Sequence, residues 1–291
     1  MQPAASVIIF TSLSGLGFGL LFFLGLGRPA VSGWIAFAFF FIAYALAVGG
    51  LLASTFHLGN PQRAMKAFSQ WRSSWLSREG VVAVAALLVM GLYAAFLLFA
   101  DIRIAPLGWL GSFLSIGAVF CTSMIYAQLK TVPRWHMSTT PLLFVLYALA
   151  GGGLLSAQLP FAVLAMTILT AVQILSWLRG DLAFDIAGHS VETATGLGNL
   201  GKVRLLESPH SGENYLTREM VFIVGRKHAV KLRVIAALCI GIIPVLILAF
   251  VPITHITALL AISLHVIGLF ISRWLFFAEA EHVVGLYYDQ R

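Results

Sequence analysis

Residues 139–178 read TTPLLFVLYALAGGGLLSAQLPFAVLAMTILTAVQILSWL, forty positions without one Asp, Glu, Lys or Arg. A bilayer core is crossed by about 20 apolar residues in a helix, so this stretch is too long for one crossing and fits two. Gly151, Gly152, Gly153 and Pro160 punctuate it, which places a tight turn between the two helices. Lipid offers no water to an unpaired backbone N–H or C=O, so each long apolar run is expected to be a helix.

Working outward, the pair becomes spans of about 138–157 and 160–178, preceded by runs at 4–27, 34–57, 79–100 and 106–129 and followed by 234–251 and 253–274. The fold expected is an all-α membrane protein, a bundle of eight transmembrane helices forming one integral-membrane domain over residues 1–291, with a polar loop over 179–233. Composition agrees. Only 10% of the 291 residues are charged and 60% are hydrophobic, with a mean hydropathy of +0.95, where soluble domains carry roughly 25% charge. That excludes a soluble enzyme, a disordered chain and a collagen-like repeat. Cys121 and Cys239 lie inside spans without a Cys-x-x-Cys partner, so they read as structural thiols and not as a disulfide framework. The first run has no basic residue before it and exceeds a signal-peptide core, so it is expected to stay in the membrane. Its Gly15, Gly17, Gly19, Gly25 and Gly27 suit close helix packing.

The net charge of +7 points to basic loops at a lipid surface, with no nucleic-acid partner. In an eight-span arrangement with both termini together, sixteen of the eighteen Lys and Arg fall on the terminal side, leaving Arg28 and Arg103 on the other. The positive-inside rule then places both termini in the cytoplasm of a multi-pass protein of the bacterial inner membrane. None of the runs carries Asp, Glu, Lys or Arg in its interior, which weighs against a secondary transporter. Only His57, His255 and His265 lie in or beside apolar runs, too few for two membrane haems, and no metal site is expected. Gly196-Leu-Gly-Asn-Leu-Gly201 matches a dinucleotide fingerprint by letter, but no strand pattern precedes it, so it reads as a loop.

Chemistry concentrates between His57-Leu-Gly-Asn-Pro61 and Ser77-Arg-Glu-Gly80. His57 closes the second span and Glu79 opens the third, so antiparallel helices bring both to one membrane edge, near Arg78 and Arg63. A His at a helix C-terminus and a carboxyl at a helix N-terminus can take up the protons that a quinol releases on oxidation. The plainer alternative is Ser77 as N-cap with Glu79 in the first turn. Between them, Met65, Phe68, Trp71 and Trp75 recur at helical spacing, so an interfacial helix between spans two and three is expected over 61–76. The segment Glu219 to Arg233 reads as a helix entering span seven with a basic face that anchors at the membrane surface or docks a partner.

Several segments resemble the membrane-anchor subunit of dimethyl sulfoxide reductase-type molybdenum oxidoreductases. They are His57-Leu-Gly-Asn-Pro with Arg63, Ser74-Trp-Leu-Ser-Arg-Glu79, Tyr126 with Thr131-Val-Pro-Arg-Trp-His136, the 219–233 run, and Phe277-Ala-Glu-Ala-Glu-His-Val-Val-Gly-Leu-Tyr-Tyr288. The resemblance implies a helical anchor without haem or metal that oxidises menaquinol for anaerobic respiration. Electrons would pass to an iron–sulfur subunit and a molybdopterin catalytic subunit. It places the quinol-site His and Glu on His57 and Glu79; Arg63 and Arg78 are expected from their position to orient the site or the partner. Two alternatives stand: a purely structural anchor, and the same architecture run towards quinone reduction by a dehydrogenase. Many catalytic partners in that family are exported, which would put the docking face outside, against the charge count.

Overall fold

The computed structural model describes residues 1–56, 60, 65–66, 68–207, 210, 212, 214–221 and 227–288. Among them every regular element is helical. Helices α1 (Ala5–Gly25), α2 (Gly33–Thr55), α3 (Trp75–Phe99), α4 (Ala105–Ala127), α5 (Thr139–Leu155) and α6 (Leu159–Ile186) follow one another. A five-residue helix, α7 (Val191–Thr195), lies in the polar connection, and α8 (Ala229–Phe250) and α9 (His255–Ala278) complete the bundle. Seven of these are long and apolar enough to cross a membrane, and α5, at 17 residues, is a shorter apolar helix. Their outer faces carry exposed Phe41, Leu88, Phe113, Leu164 and Ile256, an apolar coat suited to lipid.

The innermost of these helices is α1, packed against α2, α4, α5 and α9. Without a hydrophobic force between helices in lipid, close backbone approach has to supply the packing energy. A Cβ at Gly17 would strike the Ala47 backbone on α2, one at Gly19 the Ala148 carbonyl on α5, and one at Gly25 the Gly108 carbonyl on α4. Gly15 meets nothing, and Gly27 serves the turn after α1 with a φ of +70°. The three glycines expected to punctuate residues 139–178 lie inside α5 instead, where Gly152 rests on Gly19. The turn is made by Ser156–Gln158. Pro160 sits in the first turn of α6, where its missing N–H leaves no helical bond unmade.

Helix α8 contains a π-helical turn at Leu238–Ile242, followed by Pro244. Pro244 has no N–H to offer the Ile240 carbonyl four residues back. His265 of α9 fills that place, donating from Nδ1 to Ile240 O at 2.7 Å, so His265 braces a broken helix.

Three expected boundaries move. Helix α6 continues past Leu178 through Asp181 and Asp185, and α8 begins at Ala229, so the polar connection is shorter than 179–233. The extension is sustained because Asp181 is neutralised by two arginines. Helix α3 starts at Trp75 with Ser74 at its N-cap, so Ser77 is a buried residue of the first turn, not a cap. Of the expected interfacial helix, the described residues show helical turns, Ser69 N–H to Lys66 O and Ser74 N–H to Gln70 O; the remainder falls outside the described residues. The Gly196–Gly201 segment follows α7 as a turn at Gly196 (φ +70°) and a short 3-10 helix, Gly198–Leu200, with no strand before it.

Replacing Gly19 by Val should force α1 and α5 apart and lower stability by about 1–3 kcal/mol or more. Gly15→Val, on the open position of the same helix, should be nearly neutral; thermal unfolding in detergent separates the two.

Candidate functional site

Glu79 sits one turn into α3 yet is only 5% exposed. Its partner comes from α4, where Thr122 Oγ1 lies 2.7 Å from Glu79 Oε1 and 3.0 Å from Ala118 O. One hydroxyl has one proton. With the carboxyl ionised, Thr122 donates to Glu79; with the carboxyl protonated, Glu79 donates to Thr122 and Thr122 donates to Ala118 O. The pair therefore has a hydrogen-bonded arrangement in both protonation states. A group meant to accept and return protons in a dry place needs such an arrangement.

Arg78, next in sequence, is engaged elsewhere. Its Nε donates to Trp71 O at 3.0 Å and its Nη2 to Arg72 O at 2.6 Å, while the guanidinium lies 4.3 Å from the Trp75 ring centre. Those bonds pin the segment before α3 onto the helix start, and Phe68 closes against Gly80. His57 and Arg63 lie outside the described residues. What is described puts the end of α2 and the start of α3 at the same edge: α2 packs chiefly on α1, α3 chiefly on α4, and the two meet more lightly, with Tyr44 donating to Leu87 O.

A second polar centre was not foreseen from the sequence. Arg134, from the loop between α4 and α5, reaches Asp181 Oδ1 at 2.6 Å and Glu279 Oε2 at 3.4 Å. Arg233 of α8 places Nη2 and Nη1 on the two Asp181 oxygens at 2.6 and 2.7 Å and Nε on Glu279 Oε1 at 2.7 Å. Glu279 is 4% exposed and Asp181 43%. A Cβ at Gly180 would lie 2.6 Å from Arg134 Nη1, so the glycine leaves the guanidinium its place. Beside this lattice Trp135 donates from Nε1 to Phe276 O at 2.8 Å, and Tyr126, Trp135, Phe144, Phe276 and Phe277 form one aromatic cluster. Val283 N–H donates to Thr131 O. Motif segments widely separated in sequence thus converge at one end of the bundle. The signal available in the sequence was their charged and aromatic density just outside the apolar runs.

Both oxygens of Glu279 are committed to guanidiniums in a nearly dry site, so Glu279→Gln should cost about 3 kcal/mol. Asp181→Asn, on the half-exposed carboxylate, should cost about 1 kcal/mol or less; denaturation in detergent measures both. His282, beyond the end of α9, accepts at Nδ1 from Val284 N–H at 3.0 Å. Burial, with the Met1 ammonium nearby, holds it below its ordinary 6.5. The unfolded form takes up a proton as pH falls below 6.5 while the folded form resists, so the order of residues 283–288 should weaken there. Faster amide exchange at Val284 in mild acid is the expected reading.

The model of the family described as DMSO reductase anchor subunit (DmsC) matches residues 1–278. A sulfite dehydrogenase subunit of Allochromatium vinosum is 31% identical, the match covering 99% of each protein. The YnfH chain of an anaerobic dimethyl sulfoxide reductase of Escherichia coli K12 is 30% identical over 66% of this protein and 73% of its own length. A further anaerobic dimethyl sulfoxide reductase chain of the same organism is 29% identical, over 50% and 53% of the respective lengths. No solved structure matches the protein. With glycine-packed apolar helices, a polar end tied by ion pairs and a family match running from the first residue to the last of α9, the chain belongs to the DMSO reductase anchor subunit family.

Proposed function

We propose that this protein is the quinol-oxidising anchor of a molybdenum oxidoreductase, crossing the bacterial inner membrane eight times with both termini on the polar, cytoplasmic side. The observation that carries the reading is the Glu79–Thr122 pair: a carboxyl buried at the membrane edge with a hydrogen-bonded arrangement in both protonation states. At 1.5 Å per residue, α5 extends about 26 Å, close to the thickness of a hydrocarbon core. An even number of crossings suits the Met1 amino group donating to Ala280 O at the end of α9.

Menaquinol enters from lipid along the light α2–α3 contact and gives up two protons and two electrons. Glu79 takes one proton, and His57 is assigned the other; both electrons leave to the nearest cluster of an iron–sulfur subunit, which passes them to a molybdopterin catalytic subunit. Arg78 positions the segment that covers the site, and Arg63 is assigned the same duty toward the quinol or the partner. Basic residues gathered around the polar end, with Lys130, Arg179 and Lys227 outside the ion lattice, support docking of these subunits there. This anchor holds no haem or metal of its own in this reading.

A second reading has its own support. The relative matched over 99% of both lengths is named a subunit of a dehydrogenase, whereas the reductase chains match over less. In that direction the partner subunits deliver electrons, and Glu79 and His57 supply the two protons that turn quinone into quinol.

In the assembled complex, Glu79→Gln and His57→Ala should each lower quinol-dependent electron transfer by roughly 10²-fold, the usual contribution of a positioned acid–base group. Thr122→Val should cost less. Unchanged turnover in complexes that still assemble would leave a purely structural anchor. Offering the wild-type complex quinol or quinone as the only redox partner of the membrane arm decides the direction.

A further inference from the structure

The described residues leave four buried side-chain polar atoms without a hydrogen-bond partner: Ser12 Oγ, His265 Nε2, Ser272 Oγ and Arg273 Nε. All four belong to α1 and α9. Buried polar groups in native proteins are nearly always satisfied, so such orphans mark something missing from the protein's own inventory. Arg273 is the extreme case. It is 3% exposed, makes no ion pair and donates no hydrogen bond among the described residues. Its guanidinium lies 3.7 Å from the centre of the Phe144 ring and 5.0 Å from that of Tyr147.

Arg273 also lines two adjoining cavities. The larger, with a volume of about 30 Å³, is walled by Tyr147, Gln173, Ser272, Trp177 and Glu279 among others; the smaller, about 10 Å³, by Thr11 and Ser12. Phe144, Tyr147 and Arg273 border both. They are narrow, with room in the larger for about two water-sized guests and none for a quinone ring.

We propose that this cavity is a binding site for a small monovalent inorganic anion of chloride size, held by the Arg273 guanidinium. Three considerations select that guest. The charge needs a counter-ion, because the ring faces offset only part of the cost of a buried cation. No carboxylate among the residues lining the cavities is free to provide it, since both oxygens of Glu279 are taken by Arg134 and Arg233. An unpaired arginine in a narrow cavity repels cations and hydronium, so a proton passage is the wrong chemistry. In the larger cavity the Ser272 hydroxyl supplies a further donor beside the anion, and Ser12 lines the adjoining smaller one. The site stands apart from the reading of Glu79 and does not depend on it.

The test is thermal unfolding of the full-length protein in detergent at constant ionic strength, with sodium gluconate replaced stepwise by sodium chloride or bromide. Wild type should gain several degrees in a saturable way. Arg273→Gln should lose that response, and Arg273→Lys, which keeps the charge without the planar fork, should keep it at several-fold higher halide concentration. Should Arg273→Gln fail to fold, Ser272→Ala serves in its place with a weakened response. Equal melting of wild type in chloride and gluconate would overturn the site, as would an undiminished halide response in Arg273→Gln.

Discussion

Two carboxylates holding two guanidiniums fix the polar end of this bundle. Asp181 and Glu279 bind both Arg134 and Arg233, and through them the α4–α5 loop, α6, α8 and the end of α9 are tied at one place. Lipid beside such an end cannot solvate charge, so every ion brought inward needs a partner or a reason. The lattice lets α6 carry Asp181 beyond its apolar run, and it keeps Glu279 almost dry. It also occupies Glu279, the carboxylate that lines a cavity with Arg273. The geometry of the aromatic cluster follows, because Trp135 can reach Phe276 O only when the loop bearing Arg134 is held against α9.

The helices were legible because hydrocarbon thickness is a severe constraint: a run of apolar residues of the right length has few alternatives. Residues 139–178 do form a pair of helices, although their glycines perform a different task from the one their spacing suggests. Gly151–Gly153 resemble a turn because glycine breaks soluble helices. Within a membrane bundle the same residues let backbones touch, and nothing local distinguishes the two uses. The turn itself falls where Pro160 can open a helix, a rule that depends only on the missing N–H.

The candidate site was legible in part. Glu79 stands out because a carboxyl at the start of an apolar run is rare, and helix geometry places it at the membrane edge. Its partner does not stand out. Thr122 is one of many hydroxyls in apolar runs, and pairing it with Glu79 requires the register of α3 against α4. Arg78 is next to Glu79 in sequence, but a helix turns about 100° per residue, and its side chain binds the carbonyls of Trp71 and Arg72. The ion lattice was hidden for a different reason. Its members are separated by 46 to 145 residues where a hydrogen bond joins carboxylate and arginine from different elements, and each sits just beyond the edge of an apolar run, where charges ordinarily face water.

Two buried ionisable groups of opposite sign, Glu79 and Arg273, persist in this bundle without pairing with each other. The Tyr126 ring is enclosed by Trp135, Phe144, Phe276 and Phe277, and Phe144 also lies under the Arg273 guanidinium. A medium of low polarity screens charges poorly, so each such group needs local partners. Each is held by its own neighbours, Glu79 by the Thr122 hydroxyl and Arg273 by the ring faces of Phe144 and Tyr147.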